Sequence, residues 1–264
     1  MNAILLRKIY LLTEWGVDMA GHSKYANIKH KKERNDSARA KVFTKLGREI
    51  AVAVKAGGAD PASNSKLRDT IAKAKASNMS NDTIARSIKK AAGDLNAVNF
   101  EPITYEGYGP NGVAVVVKAL TDNRNRAAAN VRSAFTKGGG NLGATGCVSF
   151  LFDEKGLILL SNEDSNDIED ELMMLVLESG AEDFLVENNG FEVVTPPDAF
   201  GSVREAIEKA SFSVEVLSAE VTLLPQTNVS LKDPEDQKKM RKLLDMLDED
   251  DDVIDVYHNW VDEE

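Results

Sequence analysis

The residues best suited to chemistry stand together near the start of the chain. They are His22, Lys24, Tyr25, Asn27, Lys29, His30, Lys31 and Lys32, followed by Arg34, Arg39, Lys41, Lys45 and Arg48. Cationic side chains at this density release condensed counterions from a phosphate backbone, which drives affinity without reading sequence. Tyr25, His22 and His30 supply rings that stack on exposed bases. The bland alternative is a solvated basic face, common to any Lys-rich helix. The length of this run, its interleaved aromatics and the acidity of the rest of the chain favour a polyanion partner.

Other constellations are weaker. Lys73, Lys75, Arg86, Lys89 and Lys90 extend the positive charge, some at i,i+3 or i,i+4 spacing, where they repel one another unless a polyanion is near. Helix solubility explains them equally well. Arg124 and Arg126 fall near the start of an expected helix, whose positive dipole end disfavours cations, so they form a second candidate anion site. The competing explanation is that both bond to nearby carboxylates. Gly107-Tyr108-Gly109-Pro110-Asn111-Gly112 spells G-x-G-x-x-G, but it precedes a strand rather than opening a helix, so it reads as a turn. Gly143-Ala144-Thr145-Gly146 fits a GXXG loop, a pattern too short to inform.

Several activities lack their residues. His22 and His30 have no third ligand at useful spacing for zinc. Cys147 has no local nucleophile signature and reads as a packed thiol. Asp248–Asp252 lacks the alternating ligands and central Gly of a calcium loop and reads as a solvated loop. No Gly-x-Ser-x-Gly or Ser/His/Asp arrangement occurs. A nuclease would need clustered carboxylates for Mg²⁺ beside the basic surface, and the acidic residues are instead spread over helix faces and the C-terminal stretch. The expectation is no catalytic residue, no metal and no cofactor.

Charge divides the chain. Residues 19–95 hold 17 Lys+Arg against 7 Asp+Glu, while residues 96–264 hold 13 against 34, within an overall net charge of -11. A polyanion is therefore expected to meet the first part only, with the acidic part facing away or taking a protein partner or a second copy. A single cysteine and the lack of an apolar run long enough to span a bilayer suggest a cytoplasmic protein without a membrane partner. Residues 1–18 do not read as a secretory signal, because Arg7 and Lys8 interrupt the apolar stretch and no cleavage site follows. Translation is expected to start at Met19, leaving 1–18 as an upstream extension.

The elements that must position these residues follow from periodicity. Phe43, Leu46, Ile50 and Val54 mark a helix over 36–56, stopped by Gly57-Gly58. Helices follow at 64–78 and from Ser80 to Gly93, making a three-helix bundle over 19–98. Strands at 102–106 and 112–120, a helix at 123–137 and a strand at 147–152 come next. Strand 157–160, helix 168–178, hairpin 183–195, helix 198–210 and strand 213–217 give the ferredoxin-like order β-α-β-β-α-β. Strand 220–224, helix 233–247 and strand 253–258 close the chain. The fold class is thus α+β and multidomain. A helical bundle precedes two ferredoxin-like α/β domains, with 153–218 inserted into a discontinuous domain of 99–152 plus 219–264.

The motifs Met19-Ala20-Gly21-His22-Ser23-Lys24, Ala26-Asn27-Ile28-Lys29-His30-Lys31, Phe43-Thr44-Lys45-Leu46, Tyr105–Pro110, Thr121–Arg126 and Asn141-Leu142-Gly143 resemble those of the YebC/PmpR family, which includes a mitochondrial translational activator. The resemblance spans about residues 19–264. Tyr25 stands where the family usually has Trp, Ser80 where Pro is common, and Cys147 where Ser is usual. The resemblance implies a helical domain, two α/β domains and no catalytic residues. It implies either a DNA-binding transcriptional regulator or, as the alternative, a ribosome-associated translation factor. The latter would relieve stalling at proline-rich sequences by contacting rRNA or tRNA. No recognition-helix signature favours duplex readout. A protein scaffold in which the basic run is incidental is the remaining reading.

Overall fold

The computed structural model describes residues 35–93, 99–161, 168–187, 190–210, 212 and 214–261. The extension 1–18, the start at Met19 and the run His22–Lys32 lie outside the described residues, as does the side chain of Arg39.

Among the described residues three helices come first: α1 (Asn35–Gly57), α2 (Ser65–Ala76) and α3 (Asn81–Gly93). Leu46, Ile50 and Val54 of α1 repeat at four-residue spacing and close on Leu67, Ala74 and Ile84 of the other two. Burial of that stripe fixes the bundle. Asn64 caps α2 by accepting from the Leu67 N–H, while its amide donates to the carbonyls of Ala53 and Gly58 at the end of α1. One buried Asn thus sets both helix ends and the turn between them.

The first sheet follows. Strand β1 (Glu101–Tyr108) pairs antiparallel with β2 (Ala114–Thr121). The G-x-G-x-x-G stretch turns between them, with Asn111 and Gly112 at positive φ, as a hairpin turn requires. Helix α4 (Arg124–Lys137) leads to the short β3 (Asn141–Leu142), which pairs with the free edge of β1. Strand β9 (Val253–His258) returns to the other edge, beside β2. The order is β3-β1-β2-β9. Val115 and Val117 point at α4 and at α7 (Pro234–Glu249), joining Phe135, Met240 and Leu243 in one core. The helices approach closely at Gly138, where a Cβ would stand 2.5 Å from that of Leu243. Asp233 caps α7 and Pro234 opens it, a position where the missing N–H of proline costs nothing.

The second sheet is built from β4 (Phe152–Ser161), β5 (Asp183–Glu187), β6 (Gly190–Thr195) and β7 (Glu215–Pro225), with order β5-β6-β4-β7. Helices α5 (Glu169–Glu178) and α6 (Phe200–Ala210) pack on its Ile158, Leu160, Phe191 and Val193. This is the ferredoxin-like strand order. Two short strands, β8 (Val229–Ser230) and β10 (Trp260–Val261), pair in parallel.

Two strand expectations are corrected. Residues 147–152 form no strand of the first sheet; a turn and a 3₁₀ segment (Ser149–Leu151) lead into β4. The expected strands 213–217 and 220–224 are not two strands in two sheets: residues 215–217 and 220–224 lie along the single β7, which spans the length of β4. Both segments are apolar with β-branched residues, and periodicity cannot say which sheet claims them. Four antiparallel strands with two helices on one face is the plan of both sheets, and only their strand orders differ. Their backs meet through Ala114, Val116, Val148 and Phe152, with Leu223 and Tyr257 packed against them.

Candidate nucleic-acid interface

Lys41, Lys45 and Arg48 stand four and three residues apart on α1, one stripe of a helix surface. The stripe meets the end of α7. Lys45 Nζ donates to the Asp248 carbonyl at 2.8 Å and Lys41 Nζ to that of Glu249 at 3.4 Å. Arg48 Nη1 donates to the Asp251 carbonyl at 2.6 Å and to Asp252 Oδ1 at 2.8 Å, and its guanidinium lies 5.2 Å from the centre of the Phe100 ring. The end of an α-helix leaves carbonyls without partners and a negative dipole end. Helix α7 carries no basic residue in its last turn and places Asp248 and Glu249 there. The cations it lacks come from α1.

Asp252 is the centre of this joint. It is 2% exposed and takes a guanidinium from each side. Besides Arg48, Arg126 of α4 donates from Nε and Nη2 at 2.9 Å each. Arg126 also reaches Asp122 at 2.7 Å. Asn123 caps α4 by accepting from the Arg126 N–H, and Arg124 pairs with Glu101. Both arginines of the second candidate anion site therefore already hold carboxylates, the competing explanation offered by sequence. The acidic run 248–252 is corrected in turn: it is a partner of α1 and α4 rather than a loop open to solvent throughout.

A second ionic cluster lies beside the first. Lys73 of α2 stands 3.4 Å from Glu49 of α1 and 3.2 Å from Asp255 of β9. Burial alone would lower the Lys73 pKa, but Asp255, Glu49 and Glu220 outweigh it and hold the ammonium charged. Burial raises the Glu49 carboxyl, and Asp255 and Glu220 add to that against the pull of Lys73. Tyr257 is raised by burial and then by Asp255 and Glu220, and Lys118 lies over its ring. Lys73 thus leaves the set of outward cations. Lys66, Lys75, Arg86, Lys89 and Lys90 remain exposed. Arg86 bonds to the Asp82 carbonyl and the Thr83 hydroxyl of its own helix.

Glu106 stands in the Tyr105–Pro110 stretch but is not among the site residues expected from sequence, and it is 3% exposed. Its carboxylate accepts the N–H groups of Gly146, Val148 and Ser149 at 2.8, 2.9 and 2.8 Å. Burial would raise its pKa, but these backbone donors prevail and lower it. The GXXG stretch is therefore one side of a carboxylate clamp. Cys147 packs within the same loop, its thiol raised by burial and by Glu106. Among the described residues no group of His, Cys, Asp and Glu is placed to hold a metal ion. No helix there is long and apolar enough to cross a membrane.

With this geometry in hand, comparison with known proteins is direct. Residues 23–94 match the model of the TACO1/YebC protein N-terminal domain, and residues 100–260 that of the TACO1/YebC second and third domain. The chain belongs to the TACO1/YebC family. A relative from Lachnoclostridium phytofermentans named "Probable transcriptional regulatory protein" is 62% identical over 242 residues, 92% of this chain and 99% of its own. A relative of the same name from Agathobacter rectalis is 59% identical over 242 residues, with the same coverage. The crystal structure of a conserved hypothetical protein from Aquifex aeolicus matches with a TM-score of 0.75 at 44% identity, covering 87% of this chain and 93% of that one. The TACO1/YebC pattern of a helical region before α/β units is the architecture described above.

Proposed function

We propose that this chain is a non-enzymatic regulator of gene expression that binds nucleic acid through its helical N-terminal part. The observation that carries the reading is the charge division, 17 Lys+Arg against 7 Asp+Glu over residues 19–95 in a chain of net charge -11. Exposed Lys66, Lys75, Lys89 and Lys90 support it, because cations held in water by a solvent-facing helix are available to phosphates. The names of the relatives as transcriptional regulatory proteins point the same way. The backbone grip suits DNA or RNA, and DNA is the reading preferred here on those names.

Sedimentation of cell extract on a sucrose gradient, with and without Lys31→Ala and Lys32→Ala, tests the polymer. The DNA reading expects migration away from ribosomes, with the purified protein shifting duplex DNA. The double substitution should lower the salt slope of that binding by about one to two units if both lysines touch phosphates. Co-migration with ribosomes that the substitutions abolish would replace DNA by ribosomal RNA or tRNA as the partner. An unchanged slope would remove both lysines from the interface.

A further inference from the structure

The stripe Lys41–Lys45–Arg48 lies where the candidate basic run continues into α1, yet it faces the chain's own acidic loop. We propose that this stripe is a phosphate-backbone surface covered by residues 248–252, and that a nucleic acid binds by taking the loop's place. The proposal rests on the nucleic-acid reading above and adds its regulation.

What the stripe meets in the closed molecule resembles a phosphate backbone in its electrostatics. Three carbonyls at the negative end of α7 and the Asp252 carboxylate present oxygens to one lysine, a second lysine and an arginine. Asp248, Glu249 and Asp251 leave their own side chains exposed around them. An acidic segment of this kind competes with a polyanion for the same cations.

The joint is also built to part. Among the described residues the core of the three helices draws on residues 42–91 and is separate from the cores of the sheets, with α2 lying beside β7. The bonds between the helices and the loop are ionic or run to carbonyls, so opening them exposes little apolar surface there. Opening leaves the buried Asp252 paired. Asp252 keeps both bonds from Arg126, its carbonyl still accepts from the Leu120 N–H, and its own N–H still bonds Asp250. The carbonyls of 248, 249 and 251 turn to water, and Lys41, Lys45 and Arg48 to the ligand. Lys73 forms the second half of the clasp: its bond to Asp255 of β9 breaks on opening, while that to Glu49 stays within the bundle.

The test uses the full-length chain with two labelled probes, a duplex DNA and a ribosomal RNA fragment, in anisotropy titrations across a salt series. Asp252→Asn removes the central carboxylate. The triple variant Asp248→Asn, Glu249→Gln, Asp251→Asn discharges the exposed part of the loop and serves if the first variant loses its helical circular dichroism. Each is expected to bind about tenfold more tightly than the parent, a gain of about 1.4 kcal/mol. Adding Lys41→Ala and Lys45→Ala to the triple variant should cancel the gain and flatten the salt slope by about two units, one per phosphate contact. Equal affinity and slope for the parent and both loop variants would overturn the covering while leaving the nucleic-acid reading intact. Binding of neither probe by any of these proteins would overturn that reading and the proposal together. The probe preferred by the opened variants identifies which nucleic acid displaces the loop.

Discussion

Glu106 and Asp252 are both carboxylates withdrawn from water, yet they organise different kinds of structure. Glu106 gathers three backbone N–H groups from one loop, next to the apolar junction of the two sheets. Asp252 gathers two guanidiniums from separate helices, one of them in the bundle whose described core is separate from those of the sheets. An anion matched to backbone donors fixes a chain path, because the donors it holds are part of the backbone itself. An anion matched to long cationic side chains makes a joint, because each side chain can turn to water or to another anion. The first kind of contact is architecture and the second is exchangeable.

The comparison breaks or holds first on stability. Glu106→Ala removes the acceptor of three N–H groups, that of Val148 buried and those of Gly146 and Ser149 partly so, and is expected to cost about 2–4 kcal/mol. Asp252→Ala should cost less, about 1–3 kcal/mol, because Arg48 and Arg126 are close enough to solvent to be hydrated once released. Urea unfolding of the two variants at low and high salt measures both. The deficit of Asp252→Ala should shrink with salt and that of Glu106→Ala should not. Equal and salt-independent deficits would make Asp252 a core residue and end the distinction.

Titration sharpens it next. The Glu106 carboxyl lies below the ordinary value of 4.5 in the folded protein. Its stabilisation is present above that value and is lost as pH falls through the lowered one. Glu49 lies above 4.5, so the folded state holds its proton more tightly than the unfolded chain. The contribution of Glu49 is fully present below 4.5 and lost as pH rises through the raised value. Stability should therefore rise on mild acidification and fall on stronger acidification. Glu49→Gln should remove the first limb and Glu106→Gln the second, in denaturant melts taken at successive pH values. A Glu49→Gln profile parallel to that of the parent would mean that Glu49 does not titrate within the clasp.

The same distinction explains what the sequence could reveal. Leu46, Ile50 and Val54 and the turn within Gly107–Gly112 were legible, because local spacing and backbone chemistry determine them. The ferredoxin-like order of the second sheet was legible for the same reason. Long-range choices were not. Whether 147–152 joined a sheet, and that 215–224 ran as one strand, depended on partners distant in sequence. In the candidate interface the cations Lys41, Lys45 and Arg48 were visible, but not that they face residues more than two hundred positions away. The signal available was the acidic end of α7, which contradicts its own helix dipole and so requires cations from elsewhere. Glu106 gave no such signal, because a single acid in a strand reads as a solvent-facing residue.

The smallest effect tests the boundary of the exchangeable surface. Arg124 and Arg126 open the same helix, but Arg126 reaches the shared Asp252 and Arg124 reaches only the exposed Glu101. An exposed ion pair contributes little, since water solvates both partners and salt screens them. Arg124→Ala is expected to change stability by no more than about 0.5 kcal/mol. It should also leave the salt slope of nucleic-acid binding unchanged, because Arg124 is no part of the clasp that the ligand opens. Its exposure does leave it free to meet a phosphate. A slope reduced by about one unit would extend the binding surface from α1 across Asp252 to the start of α4, and the joint would then lie in the middle of that surface rather than at its edge.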